Sequence, residues 1–152
     1  MNKYLVAIIA IIFVGGFVFH IYTEQKMQQY ELHEHCGQLA KTYFKKNFDD
    51  DVNGGFADTE DGWTITNFQN HYNPTLNKCF FIGKRYDFIR HTLTGSLNIS
   101  LVDLNENREF GRFILSNPVN NKSPSACNVA GKTCHSEADW KDLIKPYMED
   151  TE

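Results

Sequence analysis

The sequence predicts an α+β fold: an N-terminal transmembrane helix continuing into an amphipathic helix, an antiparallel β-meander of about four strands, and a C-terminal helix. Three observations predict it. Tyr4 to Phe19 is a run of sixteen residues without a charge. Apolar residues then recur at helical spacing up to Phe44. Between Trp63 and Leu115 the pattern changes to short alternating segments, and helical spacing returns after Ser136. The expected organisation is a cytoplasmic stub over 1–3, a transmembrane anchor over 4–22, and a single extracytoplasmic α+β domain over 24–152.

As a helix, Tyr4 to Tyr22 would span about 28 Å at ~1.5 Å per residue, against a hydrocarbon core of ~30 Å. Signal cleavage needs small residues before the cut, and the flank Phe17-Val18-Phe19-His20-Ile21-Tyr22 is bulky. An uncleaved single-pass anchor is therefore expected, with secretion after cleavage as the alternative. Lys3 beside the amino terminus favours keeping that end in the cytoplasm and the rest outside.

From Glu24 the chain turns amphipathic. Leu32, Cys36, Leu39, Ala40, Tyr43 and Phe44 fall on one helical face, and the helix is expected to run to about Phe48. Trp63-Thr64-Ile65-Thr66 reads as a strand and Asn73-Pro74 as a turn. Lys78 to Tyr86, with Cys79-Phe80-Phe81-Ile82, reads as a buried strand. Leu97, Ile99 and Leu101 alternate with Asn98 and Ser100 as the next. Asn105-Glu106-Asn107 turns the chain into Glu109 to Leu115. Ser136 with Asp139 forms a loose capping box ahead of Trp140, Leu143, Ile144, Tyr147 and Met148, a helix that Pro146 should kink or end.

The four cysteines are an even number in a chain that reads as exported, so disulfides are the default, with three pairings open. Cys127 and Cys134 enclose NVAGKT, where Gly131 permits a tight reversal, and that pair is the most economical. Cys36 with Cys79 follows by elimination. A zinc site from Cys127, Cys134 and His135 lacks the C-x-x-C pairs of structural zinc sites. His33 and His35 are two apart and do not share a helical face.

The net charge of −4 and a sequence pI near 5.8 argue against a nucleic-acid partner, because no continuous basic face offers phosphate neutralisation. Basic residues do gather in the middle, at Lys78, Lys84, Arg85, Arg90, Arg108 and Arg112, alongside acids, and read as a mixed solvated face. The expected partners are the membrane, through the anchor, and an envelope protein of unknown identity.

Asp49 to Glu60 matches a calcium-loop pattern. Asp49, Asp51, Asn53 and Glu60 stand where side-chain oxygens converge, Gly54 permits the turn, and Gly55 would supply a backbone carbonyl. Calcium is thus the candidate cofactor. Asp61-Gly62-Trp63-Thr64 after the loop reads as turn and strand rather than as the exiting helix of an EF-hand, so a solvated acidic linker is the competing reading. The chain has no G-x-S-x-G, no H-E-x-x-H and no phosphate-binding glycine loop, and no catalytic residue is assigned. The enzymatic alternative is an envelope hydrolase with a pocket around His71 and His91.

The segment HYNPTLNKCFFIG, with the preceding helix and the later Asp139-Trp140 and Leu143-Ile144, resembles small exported bacterial proteins of no assigned activity. The resemblance implies export and a one-domain fold, with the anchor in a bacterial inner membrane and the C-terminal domain in the periplasm or outside the cell. It transfers no functional residue. In layout the chain is also similar to type IV pilins, with an apolar helix running into an amphipathic one, a sheet, and a late cystine loop. That likeness implies a filament subunit, although the pilin processing signal is missing. The functional expectation is a membrane-anchored extracytoplasmic binding or structural-association domain.

Overall fold

A computed structural model describes residues 3–48, 55–118 and 123–150, with the side chains of 3–14 left aside. The elements in chain order are α1 (Lys3–Phe48), β1 (Phe56–Asp58), β2 (Gly62–Asn73), β3 (Lys78–Ile89), β4 (Thr94–Asp103), β5 (Arg108–Ser116), β6 (Ala126–Val129), β7 (Lys132–Thr133) and α2 (Glu137–Met148). The chain divides into two compact units, Met1–Glu34 and His35–Glu152.

The first unit is helical. Among its described side chains, Phe17, Val18, Phe19, Tyr22, Met27 and Tyr30 are exposed. Local contacts join neighbouring turns: His20 lies 3.6 Å from Glu24, and the Lys26 ammonium sits over the Tyr22 ring. The expected transmembrane helix over 4–22 is not borne out: among the described residues, no helix is long and apolar enough to cross a membrane. The physical reason is the brevity of the apolar run. It stops at Phe19, short of the ~20 residues a span needs, and α1 continues without a break into His20, Glu24 and Lys26.

The second unit is built on a seven-stranded antiparallel sheet whose spatial order β1-β2-β3-β4-β5-β6-β7 is its sequence order. The sheet is an antiparallel meander of seven strands rather than the expected four or so. Three strand-to-strand connections, 74–77, 90–93 and 104–107, each have four residues and end in a left-handed residue, at Asn77, Leu93 and Asn107. Ala130 and Gly131, both at positive φ, make the two-residue β6–β7 turn; positive φ at both central positions is the geometry of type I′ hairpins.

Strand pleating sends alternate side chains to opposite faces. On one face the 35–48 part of α1 lies over Phe68, Phe81 and Val102, with Ala40 fully buried and Tyr43, Phe44 and Phe48 around it. Ring contacts hold this layer: Phe44 is 4.7 Å from Phe68, and Tyr43 is 5.0 Å from Phe81, edge to face. On the other face, Phe80, Ile82, Ile99, Leu101, Phe113, Leu115 and Val129 form the larger core under Trp140 of α2. A bulge in the β4–β5 register between Leu101 and Val102 leaves Phe110 as the extra residue, and its ring packs on Phe80 and Tyr147 of that core.

Both expected disulfides are present. Cys36–Cys79 joins α1 to β3, and Cys127–Cys134 closes the β6–β7 turn. The capping box also forms: the Ser136 hydroxyl accepts from the Asp139 N–H at 3.1 Å, while the Asp139 carboxylate accepts from the His135 N–H at 3.0 Å. Helix α2 runs through Pro146 to Met148. The missing proline donor falls in the last turn, where Asn73 Nδ2 donates to the Pro146 carbonyl at 2.8 Å and ties the helix end to β2.

Candidate functional site

Helix α1 ends at Phe48, opposite Gly83, and so covers only part of its sheet face. Gly83 permits this closeness: a Cβ there would lie 2.5 Å from the Phe48 ring and 2.8 Å from Phe81. Beyond Phe48 the same face carries polar side chains from three strands. The register sets Arg85 opposite Asn98 and Asn98 opposite Ile114, while Gly83 faces Ser100 and Ser100 faces Arg112. These two adjacent rows floor an open cleft of about 340 Å³, with Phe48 as one wall and Asp87 and Glu109 at its sides.

Two arginine–carboxylate pairs face each other across β4. Arg85 Nε donates to both carboxylate oxygens of Asp87 at 2.9 and 3.1 Å, and Thr64 adds a hydroxyl bond to Asp87 at 2.8 Å. Arg112 Nη2 donates to Glu109 at 2.5 Å, and the hydrogen bond to that carboxylate, followed by its charge, raises the guanidinium above its ordinary pKa. Each arginine is thereby fixed by its own partner. Among the described residues, Arg85 holds Asp87 through Nε alone. With two guanidinium groups and two carboxylates, the described lining of the cleft carries no net formal charge.

Reading by residue type missed this site, because Arg85 and Arg112 were assigned to a mixed solvated face. The available signal was strand parity: Arg85 and Asp87, two apart, share a face. The pairing of β3 with β4 and of β4 with β5 then brings Arg85 and Arg112 into neighbouring rows, which no local pattern states.

Of the calcium-loop residues, only Gly55 and Glu60 are described. Asp49, Asp51 and Asn53 lie outside the described residues. Gly55, at φ 89°, offers its carbonyl to the Thr66 N–H at 2.8 Å, and Glu60 is exposed in the β1–β2 turn. The segment after Glu60 is β2, beginning at Gly62, where an EF-hand has its second helix. Among the described residues, no three His, Cys, Asp or Glu side chains gather as a metal site.

The two histidines of the enzymatic alternative are not brought together. His71 is half-buried near the end of β2, with Nε2 3.5 Å from Asp150, whereas His91 is exposed in the β3–β4 turn, 3.9 Å from Asp61. His71 lies nine positions along β2 from Gly62, which pairs with Ile89 beside that turn, or about 30 Å at the strand rise. Cys127 and Cys134 are joined to each other, which withdraws both from metal ligation with His135.

Compared with known proteins, the chain matches no family model, no curated protein and no solved structure.

Proposed function

We propose that this chain is an extracytoplasmic binding domain whose cleft beyond Phe48 takes a neutral, hydroxyl-rich ligand, with a saccharide as the simplest class. The observation that carries the reading is the pairing of Arg85 with Asp87 and of Arg112 with Glu109 on opposite sides of the cleft. Guanidinium and carboxylate groups fixed in this way offer donors and acceptors side by side, which suits vicinal hydroxyls. A strongly charged ligand would have to compete with one partner of each pair.

Asn98 and Ser100 add amide and hydroxyl groups to the floor, while Phe48 and Ile114 supply apolar surface for the body of a ring. The two disulfides support an oxidising compartment, where such bonds persist.

The test is a calorimetric and NMR titration of the oxidised protein with a panel of neutral and acidic oligosaccharides. Binding should perturb the amides of Gly83, Asn98 and Ser100. Arg112→Ala and Asn98→Ala should each weaken binding about tenfold, equivalent to ~1.4 kcal/mol, and leave the melting temperature nearly unchanged. Shifts confined to other surfaces, or tight binding of acidic ligands alone, would overturn the reading.

A further inference from the structure

The three four-residue connections of the sheet place their last residue in the left-handed region, and two of them use Asn there: Asn77 at φ 50° and Asn107 at φ 49°. The third uses Leu93 at φ 53°, a conformation that a leucine side chain rarely adopts and that Asn or Gly tolerates. Leu93 is also 70% exposed, and Ile89 beside it is 49% exposed. A strained, solvent-facing leucine at a turn apex breaks two local rules at once, and such conflicts gather at functional positions.

The β3–β4 turn and the β4–β5 turn lie at opposite ends of β4. Beside the β4–β5 turn is a groove of about 230 Å³ lined by Leu39, Thr42, Tyr43, Lys46 and Leu104, with Asn107 at its edge. Its apolar residues are half-buried, and among the described residues no carboxylate lines it. Among the described residues, the formal charges of the two ends are complementary. Around Leu93 the exposed acids Asp58, Glu60 and Asp61 outnumber Arg90, which is paired with Asp58. The groove instead has Lys46 in its wall, Lys45 precedes it in the last turn of α1, and Glu106 of the adjoining turn is paired with both Lys78 and Arg108.

We infer that Leu93, flanked by Ile89, is the knob of a head-to-tail contact between copies of this chain, received by the groove between α1 and the β4–β5 turn of the next copy. Knob and socket are different surfaces on the same molecule. With all copies running in one direction the contact is heterologous, so it builds rings or rows of more than two subunits rather than symmetric dimers.

The experiment is sedimentation velocity of the full oxidised chain over a wide concentration range, with two variants. Leu93→Asn removes the knob and Thr42→Arg blocks the socket. The wild type should grow beyond dimers with concentration, and added salt should reduce this growth. Each variant alone should remain monomeric. A mixture of the two should form dimers and stop, since each variant keeps one intact half. Leu93→Asn should also raise the melting temperature by about 2–4 °C by relieving the backbone, which separates loss of the contact from loss of folding. A wild type that stays monomeric or halts at dimers, a Leu93→Asn protein that still associates, or a mixture without dimers would each overturn the inference.

Discussion

Lys78 Nζ lies 2.5 Å from Oδ2 of Asp103, a carboxylate with no solvent exposure. The other oxygen of Asp103 accepts from the backbone N–H groups of Asn105 and Glu106 at 3.0 and 3.2 Å, so one side chain shapes the β4–β5 turn and anchors the start of β3. Glu106 returns a second contact to Lys78 at 2.6 Å. Asp103→Ala should lower stability by about 3 kcal/mol, because two turn amides and an ammonium lose their acceptor together. Urea unfolding checks this. A loss within the range of ordinary surface substitutions would mean that the turn holds itself.

The same pair sets an alkaline limit. The hydrogen bonds to Asp103 and then to Glu106 raise the Lys78 pKa above 10.5. A group raised in the folded state contributes stability that is fully present below its unfolded pKa and is lost as pH rises through the folded value. Stability should therefore fall above about pH 10.4, the ordinary lysine value. Lys78→Met should remove that part of the dependence, as followed by unfolding at stepped pH.

Asp139 gives the opposite sign. The His135 N–H and then the Ser136 hydroxyl lower its carboxyl pKa below 3.8. Its contribution is present above that value and disappears as pH falls through the folded pKa. Carbon-detected NMR titration should place the Asp139 midpoint below 3.8 and show the start of α2 fraying with it. A midpoint at or above that value would mean that the cap does not hold in solution.

The disulfides should contribute unequally. Their sequence separations are 43 and 7 residues, and the chain-entropy relation gives about 4 kcal/mol for Cys36–Cys79 and about 2 kcal/mol for Cys127–Cys134. Paired Cys→Ser variants, compared by denaturant unfolding, should rank in that order. The reverse ranking would show that the short loop is held by more than its cross-link.

Gly83→Ala should cost about 1–3 kcal/mol, since the new methyl group meets the Phe48 and Phe81 rings. Because Phe48 walls the cleft, ligand affinity should fall with it. Combining Gly83→Ala with Phe48→Ala should recover part of the stability loss. Strict additivity of the two changes would mean that Phe48 does not sit against Gly83.

Several features of the fold were legible: the end of α1 at Phe48 from helical periodicity, the Cys127–Cys134 pairing from its short loop with Cys36–Cys79 by elimination, and the cap at Ser136 and the Asn105–Asn107 turn from local residue types. β2 reaches Asn73, well past the Trp63–Thr66 signal, because Asn67, Gln69 and Asn70 are exposed and leave no apolar alternation to read. β1, β6 and β7 have only two to four residues each and take their structure from pairing with neighbours rather than from their own composition. The cleft was illegible for a related reason. Arg85 and Arg112 are separated by all of β4, and their proximity is a property of register rather than of sequence spacing.

The strict chain order of the sheet also has a kinetic consequence. Each strand pairs with its immediate neighbours in sequence, so no strand waits for a partner made much later, and the low contact order favours fast assembly. Hairpins can zip one after another as the polypeptide is delivered. α2, the last element of the chain, arrives to cover a face that is already formed.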